Sequence, residues 1–254
     1  MNGFCDFCMS KRIVLLIAAI QLLAFQTGCK SHPVQTPEAT EVIVESSDIS
    51  TEDSTEATEG TPEPSYGPFT DEIDDSELVR VKTYIPDIIV ELKYATTDNF
   101  TGEKIYEFSD AYLRYGTVKK LAEVQKELRA DGMGLKIWDA FRPVSAQFRL
   151  WEVCPDATYV ANPNNGFSSH SRGNTVDVTL VLIDGSEIQM PTGFDDFTHL
   201  ANRDYSDCDA TAANNAIILE NMMIEYGFNA YSGEWWHYSD TDRYDVEKSF
   251  VPDS

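Results

Sequence analysis

Apolar residues recur at helical spacing in three parts of the chain. Between residues 117 and 129 they fall every three or four positions, which predicts a helix that ends at Gly132. Similar spacing predicts a second helix that begins at 145–151 and a third over 212–226, which Gly227 ends. All three predicted helices lie in the C-terminal two thirds of the chain.

Strand patterns alternate with these helices. Short apolar or aromatic runs predict strands over 88–94, 135–138 and 228–238, and strict alternation predicts another over 175–183. Helices and strands mix without a regular βαβ repeat. The sequence therefore predicts a single α+β domain of about 175 residues over 76–254.

The first 29 residues have the pattern of an export signal. A short basic pair precedes an apolar run over 13–24, and this run is shorter than the ~20 residues that span a bilayer. A small-residue site ending in Cys29 follows, which predicts a lipoprotein signal with Cys29 as the lipidated residue, although Gln26 stands where such signals carry Leu. An ordinary cleaved signal with an incidental cysteine is the alternative.

The net charge of −24 is distributed unevenly. Residues 31–79 contain fourteen acidic and no basic side chains, and residues 30–75 are rich in Thr, Ser, Glu and Pro. Such a composition has too few apolar groups to offset the entropy of ordering, so we expect a disordered, extended tether. The acidic excess argues against a nucleic-acid partner and against electrostatic docking on a membrane, which leaves a lipid anchor as the expected membrane contact.

Two short segments place histidines near carboxylates. The first runs from Ser168 to Asp177 and contains His170; the second is Glu234-Trp-Trp-His237. Asp177 lies on the alternating strand and points away from its apolar face, while the turn before that strand must reorient His170 if both contact one ion.

Two histidines and one carboxylate, with a second carboxylate nearby, fit a catalytic zinc site that keeps one position for water. We assign His170, Asp177 and His237 as ligands and Glu234 as the general base beside the water. A non-haem iron oxygenase is an alternative, but it leaves Glu234 without a role. A Ser-His-Asp triad lacks the expected nucleophile elbow, and histidines with purely structural roles are common.

Arg142 follows a predicted strand and precedes a proline, so it can reach into a cleft. There it would stabilise an oxyanion or bind a carboxylate. The alternative is a structural ion pair with Asp139 or another neighbour.

Five segments in order resemble the VanX-type D-Ala-D-Ala dipeptidases, zinc enzymes related in fold to D,D-carboxypeptidases and the hedgehog signalling domain. They are residues 93–102, 138–143, 168–177, 194–197 and 234–237. The family patterns S-x-H-x-x-G-x-x-x-D and E-x-x-H are both kept in full. The resemblance implies a central, mainly antiparallel sheet flanked by helices, one Zn²⁺ per chain, and hydrolysis of the small dipeptide D-Ala-D-Ala to two D-alanines.

The resemblance also implies roles for individual residues. The family's zinc ligands correspond to His170, Asp177 and His237, its catalytic base to Glu234, and its transition-state arginine to Arg142. Residues that line the family's substrate pocket correspond to Ser168 and Tyr94, and the acid that meets the substrate amino group to Asp195. The spacing after Met190 departs from the family pattern, so Asp196 is the alternative to Asp195.

Export conflicts with one known role of this family. Members that confer glycopeptide resistance act in the cytoplasm, so an exported copy is expected to clear D-Ala-D-Ala or wall-derived peptides outside the cell. Export would also permit a disulfide between Cys154 and Cys208, although two free thiols fit equally well. A D,D-carboxypeptidase on the same scaffold is the nearest alternative, and a non-catalytic zinc module that binds cell wall is a more distant one.

Overall fold

The structure, a computed structural model, describes residues 64–253, which belong to one compact unit. The described strands are β1 (Leu78–Arg80), β2 (Ile89–Val90), β3 (Tyr112–Arg114), β4 (Met133–Asp139), β5 (Thr175–Leu182), β6 (Phe228–Ala230) and β7 (His237–Asp240). The described α-helices are α1 (Val81–Tyr84), α2 (Tyr115–Ala130), α3 (Val144–Val153) and α4 (Ala210–Glu225). This mixture of elements confirms the predicted α+β class.

A five-stranded sheet forms the centre of the domain, in the order β2-β4-β5-β7-β6. Only the β2–β4 pair is parallel, and β4–β5, β5–β7 and β7–β6 are antiparallel, as expected. On β5, Val176, Val178 and Leu180 are fully buried in the hydrophobic core, and β5 packs against helix α4. Alternation therefore places Thr175 and Asp177 on the opposite face, where a polar site can form.

The three predicted helices are present, and local chemistry explains their ends. Helix α4 begins after Asp209, whose carboxylate accepts hydrogen bonds from the main-chain N–H groups of Thr211 and Ala212. Helices α2 and α4 are followed by Gly132 and Gly227, whose φ angles of 76° and 88° are in the left-handed region that glycine adopts without strain.

The prediction of one strand over 88–94 is wrong. The strand β2 contains only two residues, and the chain then enters a 3-10 turn over Lys93–Ala95. The carbonyl of Tyr94 accepts hydrogen bonds from the N–H groups of Ile105 and Tyr106 (2.9 and 2.8 Å), so a loop rather than a strand pairs with this segment. The apolar run reflects burial of this turn in the core.

The single strand predicted over 228–238 is also wrong, because this segment is a hairpin. Strands β6 and β7 pair antiparallel, with Ala230 opposite Tyr238, and residues 231–236 form the connection. Trp235 and Trp236 are buried within this connection, which explains why the aromatic pattern continues through the turn.

Residues 66–75 belong to the range assigned to the tether, but they contact the domain. The ring of Phe69 stacks on Tyr84 with centroids 5.3 Å apart, and the N–H of Thr70 donates to the hydroxyl of Tyr115 (2.6 Å). The predicted signal and Cys29 lie outside the described residues. Within the described part of the chain, no helix is both long and apolar enough to cross a bilayer.

Candidate active site and metal centre

Strand pairing brings two of the predicted ligands together. Asp177 on β5 lies directly opposite His237 on β7. His170 belongs to a short 3-10 helix just before β5, and Gly173, at φ 74°, ends that helix and turns the chain into the strand. One ligand atom from each of the three side chains lies within 4.8 Å of the others. The turn at Gly173 therefore gives His170 the orientation that it needs to share one ion with Asp177.

The hydrogen bonds around these side chains leave their metal-binding atoms available. His170 Nδ1 lies 2.9 Å from the carbonyl of Ala140 and must donate to it, so in the neutral imidazole Nε2 carries the lone pair, and Nε2 is 3.3 Å from Asp177 Oδ2. Asp177 Oδ1 is buried and lies 2.9 Å from His237 Nδ1, yet it accepts no hydrogen bond of acceptable geometry. A cation between these groups would satisfy this orphaned oxygen.

Glu234 lies beside the ligands on the β6–β7 turn. Its Oε2 is 3.6 Å from His237 Nδ1, and about a third of its side chain is exposed. The neighbouring Trp235 and Trp236 are buried, and Trp235 Nε1 donates to Thr192 Oγ1 (2.9 Å). Burial, and then the Asp177 carboxylate, raise the pKa of Glu234 above its usual value.

Arg142 forms the ion pair with Asp139 that was its alternative interpretation. Its Nη2 and Nε donate to Asp139 Oδ2 (2.5 and 3.1 Å), and its Nη1 donates to Gln147 Oε1 (2.9 Å). The guanidinium carbon lies 5.0 Å from the centre of the Tyr94 ring. Arg142 thus forms the ion pair with Asp139 and, at the same time, lines the cavity described below.

Asp139 makes more contacts in the site than the sequence indicates. It is fully buried, and its Oδ1 accepts hydrogen bonds from Tyr106 Oη (2.7 Å) and the N–H of Ala140 (2.9 Å). Its Oδ2 lies 3.6 Å from His170 Nδ1 as well as against Arg142. Its position three residues before Arg142, at the end of β4, was the only signal in the sequence.

Two of the three predicted substrate contacts touch each other, and the third lies next to His170. The hydroxyl of Tyr94 donates to Asp195 Oδ2 (2.7 Å), and Asp195 has φ 51°, unusual for a residue with a side chain. Burial raises the pKa of Asp195 to about 8, against the effect of the Tyr94 hydrogen bond, and the Asp177 charge adds to the rise. Ser168 Oγ accepts a hydrogen bond from the N–H of His170 (3.3 Å).

Of the two candidate acids, Asp195 and Asp196, the first has the position expected of a substrate contact. Asp195 lines the cavity, whereas Asp196 Oδ1 accepts a hydrogen bond from the N–H of Thr198 in the following turn (2.8 Å) and does not line it.

All eight residues predicted for the active site line one cavity of about 550 Å³. They are Tyr94, Arg142, Ser168, His170, Asp177, Asp195, Glu234 and His237. Sequence reasoning missed the aromatic side chains that also line it, namely Tyr159, Phe167, Phe197 and Tyr231. All four lie outside the strands and α-helices, and only Tyr231 was part of a predicted element, the strand over 228–238.

Comparison with known proteins decides the family. A family sequence model described as "D-ala-D-ala dipeptidase" matches residues 74–252. The chain belongs to this family of peptidases. Relatives in the D-Ala-D-Ala dipeptidase family include the D-alanyl-D-alanine dipeptidase of Escherichia coli K12, 37% identical over 65% of this chain and 85% of that protein. The enzyme of the same name from Enterococcus faecium is 33% identical over 58% of this chain and 82% of that protein.

Two solved structures are similar to this chain over about half of its length. VanYB in complex with D-alanine-D-alanine has a TM-score of 0.34 at 18% identity and covers 52% of this chain and 73% of that one. The D,D-dipeptidase VanXYg, in complex with a phosphinate analogue of D-Ala-D-Ala, has a TM-score of 0.35 at 18% identity, over 53% and 52% of the two chains.

The two cysteines of the domain are not joined. Cys154 is buried and Cys208 is partly exposed, and the structure contains no disulfide between them.

Proposed function

We propose that this chain is a zinc dipeptidase that hydrolyses D-Ala-D-Ala to two D-alanines. The observation that carries the proposal is the convergence of His170, Asp177 and His237 beside Glu234 in one cavity. Membership of the D-Ala-D-Ala dipeptidase family supports the choice of substrate. Fixation of the His170 tautomer by Ala140 supports the choice of a metal site over a set of structural histidines.

His170 Nε2, Asp177 and His237 Nδ1 would hold the zinc ion, since two imidazoles and one carboxylate are a common ligand set for catalytic zinc. When bound, zinc acts as a Lewis acid that polarises a carbonyl group and makes water more acidic. Asp177 Oδ1, buried without a hydrogen bond, is the atom that fits a cation best.

Glu234 acts as the general base and then as the general acid. Its carboxylate takes a proton from the attacking water and passes it to the leaving amine as the peptide bond breaks. Burial disfavours the charged form of Glu234 and so raises its pKa, which suits a group that must both accept and return a proton.

Arg142 stabilises the charge that develops on the carbonyl oxygen during attack. A preorganised donor in a site shielded from water is worth more than one in solution, because it needs no reorganisation. Asp139 and Gln147 hold the guanidinium in place at three donor atoms, so Arg142 is preorganised before substrate arrives.

Asp195 and Tyr94 bind the free amino group of the substrate. An ammonium group next to Asp195 would stabilise its carboxylate and lower its pKa from the raised value. A longer stem peptide has an amide at that position and would leave the acid without a cationic partner. This pair therefore favours the dipeptide over the terminus of a longer peptide.

We propose that the protein is exported and held at the outer face of the cell membrane by lipid on Cys29, with residues 30–65 as the tether, since residues 66–75 contact the domain. The signal pattern of residues 1–29 supports this. Its role there is turnover or scavenging of wall peptides. Fractionation of cells that express the wild type or Cys29→Ala tests the anchor: the variant is expected to leave the membrane fraction. Glycopeptide resistance conferred by the full-length exported form would contradict an extracellular role.

A dipeptidase assay tests the proposed function directly. We expect release of D-alanine from free D-Ala-D-Ala, loss of activity with a chelator, and its return with Zn²⁺. The same enzyme is expected to leave a stem pentapeptide uncut. Cleavage of the pentapeptide in preference to the dipeptide would identify a D,D-carboxypeptidase instead. Zinc binding without hydrolysis of either would indicate a non-catalytic module.

A further inference from the structure

The turn between β6 and β7 carries Glu234 and leads into His237, the first residue of β7, and the distance between these two side chains matters. Its own hydrogen bonds are long: Tyr231 N–H donates to the carbonyl of His237 at 3.2 Å, and Glu234 N–H donates to that of Tyr231 at 3.3 Å. Typical N–H···O distances are ~2.9–3.0 Å, so these bonds alone hold the turn weakly. Between the two groups, Trp235 N–H donates to the carbonyl of Ala201 (2.9 Å), and the carbonyl of Trp236 accepts from the N–H of Val178 (3.0 Å). These bonds fix the middle of the segment, and its two ends depend on further contacts.

Arg203 contacts both ends of this segment from outside the turn. Its Nε donates to the carbonyl of Tyr231 (2.8 Å), and its Nη2 donates to the carbonyl of His237 (3.1 Å). Its main-chain N–H also donates to the carbonyl of Ser232 (3.2 Å). One guanidinium thus connects both ends of the segment that contains Glu234, and the Arg203 side chain is only 9% exposed.

Arg203 is itself fixed to a helix and an aromatic ring. Its Nη1 donates to Glu220 Oε2 on α4 (2.9 Å) and to Tyr238 Oη (3.1 Å), and its guanidinium carbon lies 4.5 Å from the centre of the Tyr238 ring. Tyr205 Oη also donates to Glu220 (3.0 Å). The turn is therefore connected through Arg203 to α4, a helix of sixteen residues.

We propose that Arg203 is a positioning residue that sets the distance between the Glu234 carboxylate and His237 Nδ1, now 3.6 Å. Arg203 does not line the cavity, so it acts through the main chain of the turn and not on substrate. The kinetic part of this inference rests on the proposed function, whereas the part concerning metal affinity does not. A misplacement of 1 Å in a catalytic group can cost ~10²-fold in rate.

Arg203→Lys is the informative variant. Lysine keeps a positive charge for Glu220 but cannot donate to two separated carbonyls in the fixed geometry of a guanidinium. For D-Ala-D-Ala we expect kcat to fall about 10- to 100-fold with KM within about twofold, because the substrate contacts Tyr94 and Asp195 are not on this turn. We expect the zinc dissociation constant, from competition with a chromophoric chelator, to rise about tenfold or more.

Arg129→Lys is the matched control. Arg129 lies on α2 and pairs with Asp87 at 3.3 Å, away from the cavity, so this variant should keep the wild-type kcat and zinc affinity.

Glu220→Ala is the second variant. It leaves the two hydrogen bonds from Arg203 to the carbonyls of the turn but removes the hydrogen bond from Arg203 to α4. We expect it to lower kcat several-fold with unchanged KM, and it decides the matter if Arg203→Lys does not fold.

Three results would overturn the proposal. The first is wild-type kcat and zinc affinity in folded Arg203→Lys. The second is a loss of kcat that matches the unfolded fraction measured by circular dichroism, with zinc affinity of the folded protein unchanged. The third is an unaffected Glu220→Ala if Arg203→Lys is unfolded. If the wild type fails to hydrolyse D-Ala-D-Ala, the proposed function fails, and the zinc affinities alone still test Arg203.

Discussion

Replacement of Asp139 by Asn removes the negative charge of this side chain and keeps its shape. The two hydrogen bonds that Asp139 Oδ1 accepts, from Tyr106 and from the N–H of Ala140, can persist with an amide oxygen. The two that Oδ2 accepts from Arg142 cannot, because an amide NH₂ at that position opposes another donor. The variant therefore removes one side of a buried ion pair and leaves the volume unchanged.

The expected cost is about 3–5 kcal/mol in the free energy of unfolding, the range for removing one partner of a buried ion pair. Asp139 is fully buried and the Arg142 side chain is 11% exposed, so water compensates little of this loss. Small domains have only ~5–15 kcal/mol of stability, so the effect is a large fraction of the total. The same variant should lower kcat, because Arg142 loses the carboxylate that orients it.

Urea unfolding of the metal-free protein in a chelator measures this change without a contribution from metal binding. Asp98→Asn is the matched control: Asp98 lies 2.8 Å from Lys93 Nζ, but its side chain is 82% exposed, so its loss should cost under about 1 kcal/mol. A difference below about 1 kcal/mol for Asp139→Asn would refute the assignment of Asp139 as the buried partner of Arg142.

Three further variants test other parts of the site. Arg142→Ala should lower kcat by about 10²–10³-fold, and near-normal turnover would remove this residue from the mechanism. Glu234→Ala should lower kcat by at least as much, within the ~10²–10⁴-fold range of general acid–base catalysis, while zinc content by atomic absorption stays at one per chain. Gly173→Ala should destabilise the fold by about 1–3 kcal/mol in urea unfolding, because the new Cβ would lie 2.5 Å from Leu78 Cδ2 at a φ of 74°. An unchanged unfolding midpoint would contradict that.

Local patterns in the sequence were sufficient for the helices and for β5, because their periodicity depends on neighbouring residues alone. Spacing, together with the family resemblance, was also sufficient to name the three side chains that the structure brings together. Spacing does not show which residues of two strands lie opposite each other. The β5–β7 pairing in the structure shows that Asp177 faces His237. The hairpin at 228–238 was missed because buried tryptophans continue the aromatic pattern through the turn.

The contacts that sequence reasoning could not reach are those between distant segments. Arg203 donates to carbonyl oxygens of residues 28 and 34 positions away. Every residue has a main-chain carbonyl, so the residue types at those positions do not show which carbonyl is the acceptor. The aromatic side chains around the cavity come from separate loops, where no period exists to be detected. Asp139 was visible only as a neighbour of Arg142, since its burial depends on Tyr106 and on the fold of the loop that carries it.

The most direct test of the metal centre is an anomalous-difference map from zinc-loaded crystals, with data on both sides of the zinc absorption edge. The account predicts one peak about 2.0–2.2 Å from His170 Nε2, an Asp177 carboxylate oxygen and His237 Nδ1, with Glu234 close by but not coordinated. A cleft without a peak, or a peak coordinated by Glu234 in place of one of these three side chains, would contradict it.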